Sequence, residues 1–388
     1  MKHPQDLRLN RRQWLLATTA ALTGCGGGGG NFAGAPGTGG TGIGVQGPIT
    51  GFGSVIVNNT KYDDSLAHVY LDGLQFNSVN GLPFNSADLR VGMVANISGS
   101  LDAGGASGSA SRIDVWSIAS GDVSAVDIAG STFSMFSNIG VVGTTFSTDV
   151  ATSFDGIANL AALSIGASLT VWGEQTSADG RSWRATRVKF LPSSPTTTVS
   201  TGLFDASTLM LNDMHISGID MSSFAGKMVR VEGSFDSLAN VLTVTNATPI
   251  AAAQQIAATG LIEIEGVVTA FTSATDFYIG TTRVDASTPP VNSAVGLNSM
   301  VEATGRMQNG MLIASKVEIK SSNSRAQIDI TGAITSFTSP SNFLVRGQKC
   351  DASSLLTGSL PVGTKVRLTG TSQGHETLLV QSIQIGVP

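Results

Sequence analysis

Five times between Gly47 and the C-terminus the chain returns to one glycine-spaced pattern, and that repeat restricts its fold more than any other feature of the 388 residues. The period is roughly 65–80 residues, the size of a small supersecondary unit. A strand opening of the form Gly-x-Val/Ile-Ser/Thr-x-Phe/Val recurs at Gly47, Gly121, Gly266 and Gly332, with a weaker copy at Gly202. A later strand ends in glycine, with apolar residues two and four places before it. Its copies close on Gly99, Gly173, Gly233, Gly305 and Gly370. Seven residues before each closing glycine stands another, at Gly92, Gly166, Gly226 and Gly363, replaced by Asn298 in the fourth copy. Asn tolerates positive φ better than most residues, so the exchange predicts the same left-handed turn in every copy. A last strand, Ala-Ser/Thr-Arg/Lys-Val/Ile, recurs at 110–113, 185–188 and 314–317, with a looser match at 380–383.

Alternation of apolar and small polar residues marks half-buried strands. Only 13% of residues are charged, so long helix formers are scarce, while Gly reaches 47. Each unit offers about five short strands with glycine turns, a hairpin lying between the first two signatures. Closure into a barrel removes exposed edges. The fold class expected is therefore all-β, a tandem array of about five small antiparallel OB-like barrels, with a small sandwich or SH3-like barrel as the second choice. The units fall at about 47–120, 121–192, 199–250, 260–320 and 327–388. Two linkers are read at 192–201 and 249–258, the latter with a short helix as its alternative. Units this small are marginal alone, so neighbours are expected to pack together into a semi-rigid rod.

The N-terminus carries a different message. Basic residues end at Arg11 and Arg12, and an uncharged stretch runs from Gln13 to Gly24. It is too short to span a bilayer and reads as an export signal over 1–24, cleaved between Gly24 and Cys25. Asn10-Arg11-Arg12-Gln13-Trp14-Leu15-Leu16 resembles a twin-arginine translocation motif, with Asn before the pair and Trp where Phe is common; the general secretory route is the alternative. Leu22-Thr23-Gly24-Cys25 resembles a lipobox. In such proteins the Cys thiol takes diacylglycerol, a step suited to a soft nucleophile. Gly26 after it implies outer-membrane sorting in a Gram-negative cell. Residues 25–46 read as the lipidated Cys and a flexible Gly-rich tether.

Removing 1–24 takes away Lys2, Arg8, Arg11 and Arg12 against Asp6, so the net charge moves from −5 to −8. No basic patch of the kind that neutralises phosphates is present, and nucleic acid is not an expected partner. With Cys25 lipidated, Cys350 has no intrachain partner for a disulfide.

Candidate chemistry is thin. Cys350 falls at the core position of Tyr62, Phe146, Ile219 and Val284 and reads as a core residue. Asp63, Asp220, Asp285 and Asp351 follow that position and read as turn residues, one carboxylate per unit being too few for a cation site. Glu263 and Glu265 lie on one face of a strand roughly 7 Å apart; with Ile262 and Ile264 facing the core, they are expected in solvent. His68, His215 and His375 share no metal-ligand spacing. Arg112, Arg187 and Lys316 share one place on the last strand and read as surface charge. The glycine-rich stretch after Cys25 neither follows a strand nor opens a helix, so it is no dinucleotide fingerprint. No catalytic, cofactor or metal residues are assigned, and no enzyme is expected.

The segment GPITGFGSVIVN at 47–58, LRVGMV at 89–94 and the Ala-Ser-Arg-Ile strand resemble a bacterial domain of unknown function found in tandem in secreted proteins and lipoproteins. The resemblance covers the first two units well, the fourth and fifth fairly, and the third poorly. It implies a lipoprotein setting and a small barrel, and no activity. The expectation is a non-enzymatic lipoprotein of the cell envelope, held to a membrane at Cys25 and displaying its barrels as scaffold, spacer or protein-binding surface. The expected place is the outer membrane, on the periplasmic face or the cell surface. The alternative is a module binding envelope glycans or small ligands, with Phe76 and Phe84 in the loop at 74–85 as its contact.

Overall fold

The computed structural model describes residues 42–74, 88–103, 105–136, 143–250, 260–288 and 294–387. In chain order the first barrel holds β1 (Gly42–Phe52), β2 (Val55–Val57), β3 (Thr60–Asp63), β4 (His68–Leu71), β5 (Val94–Leu101) and β6 (Ser107–Val115). The second holds β7 (Ala119–Asp127), β8 (Thr132–Met135), β9 (Thr144–Ser147), β10 (Ser153–Asp155), β11 (Ser168–Gln175) and β12 (Ser182–Leu191). The third holds β13 (Thr198–Asp205), β14 (Met210–Leu211), β15 (Met214–Ser217), β16 (Met228–Asp236) and β17 (Val241–Pro249). The fourth holds β18 (Leu261–Ser273), β19 (Asp276–Ile279), β20 (Thr282–Asp285), β21 (Met300–Gln308) and β22 (Met311–Ile319). A single helical turn, α1 (Ser322–Arg325), leads to the fifth, with β23 (Gln327–Ser339), β24 (Asn342–Val345), β25 (Gln348–Asp351), β26 (Lys365–Thr371) and β27 (Thr377–Ile385).

Each group of strands closes on itself. In the fourth barrel β18 pairs β19, β19 pairs β20, β20 pairs β22, β22 pairs β21, and β21 returns to β18. The third and fifth barrels close in the same order. The first and second do so too, with β4 and β10 added beside their last strands. One seam in every ring is parallel, for instance Cys350↔Leu378 between β25 and β27. An odd number of strands in a closed ring cannot alternate in direction throughout, so one parallel pair is unavoidable.

The repeating glycines have two mechanical causes. The residues at the predicted turn all have positive φ, at 83° for Gly92, 82° for Gly166, 67° for Gly226, 66° for Asn298 and 91° for Gly363. Each donates its N–H to a carbonyl of its barrel's first strand: Gly92 to Ile49, Gly166 to Val123, Gly226 to Phe204, Asn298 to Val268 and Gly363 to Ile334. The closing glycine sits at a β-bulge in every barrel, where the register shifts by one residue. A Cβ there would meet a backbone carbonyl oxygen of the last strand at 2.0 to 2.3 Å. The chain can approach this closely only without a side chain.

The barrels are stitched together out of chain order. β1 pairs in parallel with β18 from Ile43↔Leu261 to Gln46↔Ile264, and with β23 at Gly51↔Asp329 and Phe52↔Ile330. The first and fifth barrels share one hydrophobic core and the second and third another, while the fourth has its own. Sequential neighbours do pack, the second and third barrels through β7 and β13, but they do not form a simple rod, because β1 of the first barrel also pairs strands more than 200 residues away along the chain. The cause is the length of β1, whose two ends reach different barrels. It starts at Gly42, so residues 42–46, read as tether, are paired strand. The linker reading at 192–201 is likewise shortened by β13, which begins at Thr198. Residues 251–259 lie outside the described residues, as do Arg11, Arg12, Gly24, Cys25, Phe76 and Phe84.

Candidate functional site

Charge is sparse in this chain, and much of it is buried where barrels meet. The buried arginines are Arg184, Arg187, Arg230 and Arg325. Arg184 projects from β12 and Arg325 ends α1. Both converge on Glu174 of β11, the residue after the bulge at Gly173. Arg325 Nη2 lies 2.6 Å from Glu174 Oε1, and its Nη1 lies 2.9 Å from Oε2. Arg184 Nη2 shares Oε2 at 2.5 Å. Arg184 also reaches Asp149 at 3.0 Å, and Arg325 Nε reaches Glu265 of β18 at 2.5 Å. Ser322 in α1 donates to Asp149 at 2.8 Å. One network thus joins the second barrel, the fourth, and the turn leading to the fifth.

Two more buried arginines act the same way. Arg230 of β16 donates from Nε to Ser117 O at 2.8 Å and pairs with Asp72 of the first barrel at 3.0 Å and with Glu232. Arg187 of β12 donates to Val91 O of the first barrel at 3.0 Å and pairs with Asp155 at 2.5 Å. Arginine suits these seams because its planar fork satisfies several acceptors at once and holds its charge when buried.

The electrostatics follow from burial. Burial pushes the Glu174 carboxyl up to about 7, against the opposing pull of Arg184. Burial, then the charge of Glu174, pushes Glu265 up to about 8. Carboxyls titrating near neutrality are what proton-transfer chemistry uses. Here, however, both oxygens of Glu174 are held by guanidinium groups. The adjoining cleft, lined by Gln46, Gln175, Trp183, Glu265 and Thr282 among others, has a volume of about 80 Å³. That is room for a few water molecules and too small for a sugar ring or a peptide side chain with its contacts. The arrangement clamps Glu174 between two guanidinium groups.

The sequence reading of these positions divides. Ile262 and Ile264 are core residues, but neither glutamate is solvated: Glu263 is half-buried and Glu265 is only 6% exposed. Its strand faces a second barrel on the side that a lone barrel would leave to water. Arg187 is buried for the same reason and is not surface charge, whereas Arg112 and Lys316 are exposed and pair with Asp114 and Glu318. Cys350 is fully buried, and burial pushes its thiol up to about 12. Its counterpart in the third barrel is Ile216, paired with Leu242 as Cys350 is with Leu378. Ile219, assigned there from the sequence, lies three residues past it and is 39% exposed.

The turn reading of the aspartates is what the geometry shows. Asp63, Asp220, Asp285 and Asp351 accept from the N–H of Ser65, Ser222, Ser287 and Ser353 at 2.9–3.0 Å. These hydrogen bonds hold the carboxyls of Asp63, Asp220 and Asp285 below their ordinary range. Among the described residues no three His, Cys, Asp or Glu side chains are grouped to hold a metal. His375 contacts Asn159 of the second barrel at 3.2 Å; His68 and His215 are exposed.

Glu174, Arg184 and Arg325 were not marked by any sequence motif. The available signal was the placing of charge within strand patterns of a charge-poor chain, beside a bulge glycine at Gly173 and on the neighbouring strand at Arg184.

Residues 120–189, the second barrel, match the model of a domain of unknown function, DUF5666. No curated protein is significantly similar to the chain.

Proposed function

We propose that this chain is a membrane-anchored lipoprotein of the cell envelope. In this reading it presents tandem copies of one small barrel domain, fused into a rigid platform, as a non-enzymatic scaffold or protein-binding surface. The observation that carries the reading is the position of β1. β1, the first of the described strands, is paired on β2, β5, β18 and β23, strands of three different barrels. A pull on a lipid at Cys25 would be spread over three barrels, as a mounted platform requires. The buried arginines at the seams support the same reading, because they hold barrels that could otherwise move as beads on a string.

Two measurements test it. Mass spectrometry of the membrane-extracted protein should find the chain beginning at a diacylglyceryl-modified Cys25, and Cys25→Ser should release it from membranes. Calorimetry of the purified chain should show one cooperative unfolding transition; separate transitions for separate barrels would defeat the platform reading. Protease treatment of intact and permeabilised cells then tells surface from periplasm.

A further inference from the structure

The turn that carries Gly92 in the first barrel is seated on the last strand of the second. Arg187 Nη1 donates to Val91 O at 3.0 Å, and Val91 is 5% exposed. A Cβ on Gly92 would stand 2.3 Å from Thr186 O. The contact therefore has a knob, a small apolar residue followed by a glycine turn. It also has a seat, a hydroxyl residue and a cation on a last strand.

The fifth barrel carries a second knob. Val362–Gly363 repeats the Val91–Gly92 dipeptide at the same turn, with Gly363 φ at 91° against 83° for Gly92. Val362 is 63% exposed, and a Cβ on Gly363 would meet nothing within 4 Å. The other turns fit less well. Asn298 satisfies the turn, but its Cβ would collide with a seat as tight as that of Gly92. Ala225 before Gly226 is small, and Ile165–Gly166 is as open as Val362–Gly363 but carries isoleucine where the seated knob has valine.

The fourth barrel carries a second seat. Its Gly305↔Ala314 pair corresponds to Gly173↔Ala185 of the second barrel, which places Ser315 and Lys316 where Thr186 and Arg187 stand. Ser315 and Lys316 are exposed. Beside them opens a groove of about 460 Å³ walled by Leu261, Met307, Ile313 and Ala314. Elsewhere the seat is incomplete or covered. Arg112 of the first barrel is stacked on Tyr70 at 3.7 Å and flanked by β4. The third and fifth barrels have Asn246 and Ser382 in place of the cation.

We propose that the Val362–Gly363 turn of one molecule docks on the Ser315–Lys316 seat of a second copy of this chain, repeating between molecules the contact made within each by Val91–Gly92 and Thr186–Arg187. Lys316 takes the part of Arg187, donating to Val362 O, and Val362 enters the apolar groove. Knob and seat are different surfaces, so the contact is head-to-tail and leaves one of each free on every pair. One such contact buries little area, so the pair is weak and is populated at high protein concentration. The inference rests on the barrels alone and not on the lipid.

Disulfide trapping tests it. Two single variants, Val362→Cys and Ser315→Cys, are made in the full chain carrying Cys25→Ser; Cys350 stays buried. Mild oxidation of the mixture should give a cross-linked pair several-fold faster than either variant alone. Adding Gly363→Asn to the Val362→Cys chain should abolish this gain, since Asn keeps the turn and blocks the seat. The proposal is overturned if the mixture reacts no faster than its components, or if Gly363→Asn changes nothing. Both cysteine sites are exposed, so failure to fold does not confound the result.

Discussion

Arg325 and Glu174, 151 residues apart, meet in a direct two-pronged contact at 2.6 and 2.9 Å. The helical turn before the fifth barrel is thereby locked to the second. Arg325→Ala would remove the donor that holds both oxygens of Glu174 and reaches Glu265 in a buried seam, and leaving a buried polar group without its partner costs about 1–3 kcal/mol. Arg325→Met, paired with Glu174→Gln and Glu265→Gln, removes charge from both sides and should recover most of the loss. Urea midpoints of the single and triple variants measure both. Equal stability of Arg325→Ala and the parent would show that the seam is held by strand pairing alone.

The same carboxyls give a pH dependence of definite sign. Burial raises Glu174 from 4.5 to about 7 and Glu265 from 4.5 to about 8. Between pH 4.5 and about 8 the folded chain holds protons that the unfolded chain has released, so stability falls as pH rises through that window. The contribution is complete below 4.5 and gone above about 8. The groups facing this pair are Arg184, Arg325, Asp149, Lys320 and Glu302. Within the window each such carboxyl changes stability by at most about 1.4 kcal/mol per pH unit. Urea midpoints at intervals from pH 5 to 8.5 should fall, and Glu265→Gln should flatten the slope. A midpoint that climbs over this range would contradict the prediction.

How far the sequence foretold this depends on the range of the interaction. The turn at Gly92, Gly166, Gly226, Asn298 and Gly363 was legible because backbone conformation is local, and one exchange of Gly for Asn reveals it. The Asx turns at Asp63, Asp285 and Asp351 were legible for the same reason. The third barrel misled by three residues, since its β14 has only two residues and Ile219 offered an apolar residue before an Asp. The seams were not legible. Glu265 alternates along β18 as a solvent-facing residue would, and only α1 and the neighbouring barrels, distant in the chain, turn that face inward. Periodicity reports which side of a strand an isolated unit buries, not what covers the other side.

The glycines of the turn divide into two kinds, and a single exchange tells them apart. Gly363→Asn should be nearly neutral, because Asn298 occupies the same turn at φ 66° and the space around Gly363 is open. Gly92→Asn meets the carbonyl of Thr186 at 2.3 Å and should cost several times more, by forcing the first barrel off the second. The closing glycines form a third case: Gly370→Ala would place a methyl 2.1 Å from Leu379 O and should prevent the bulge altogether. Thermal unfolding of the three variants should rank them in that order. Equal effects of Gly363→Asn and Gly92→Asn would mean that the seat on Thr186 is looser than the geometry shows.

Cys350 offers the last check, on closure of the barrels themselves. Its thiol is fully buried on β25, donates to Gln348 O at 3.3 Å, and is pushed by burial up to about 12. The thiolate is the reacting form, so the folded chain should leave Cys350 unmodified by a thiol reagent even at pH 9. Reaction should begin only when β25 separates from β24 or β27, and its rate then reads the opening of that barrel. Cys350→Ile, the residue at the matching place in the third barrel, enlarges the side chain and should be accommodated at a cost of about 1–3 kcal/mol. Cys350→Ser puts a hydroxyl in the core and should speed opening more than Cys350→Ala. Rapid labelling of the native chain would show that the fifth barrel is not closed.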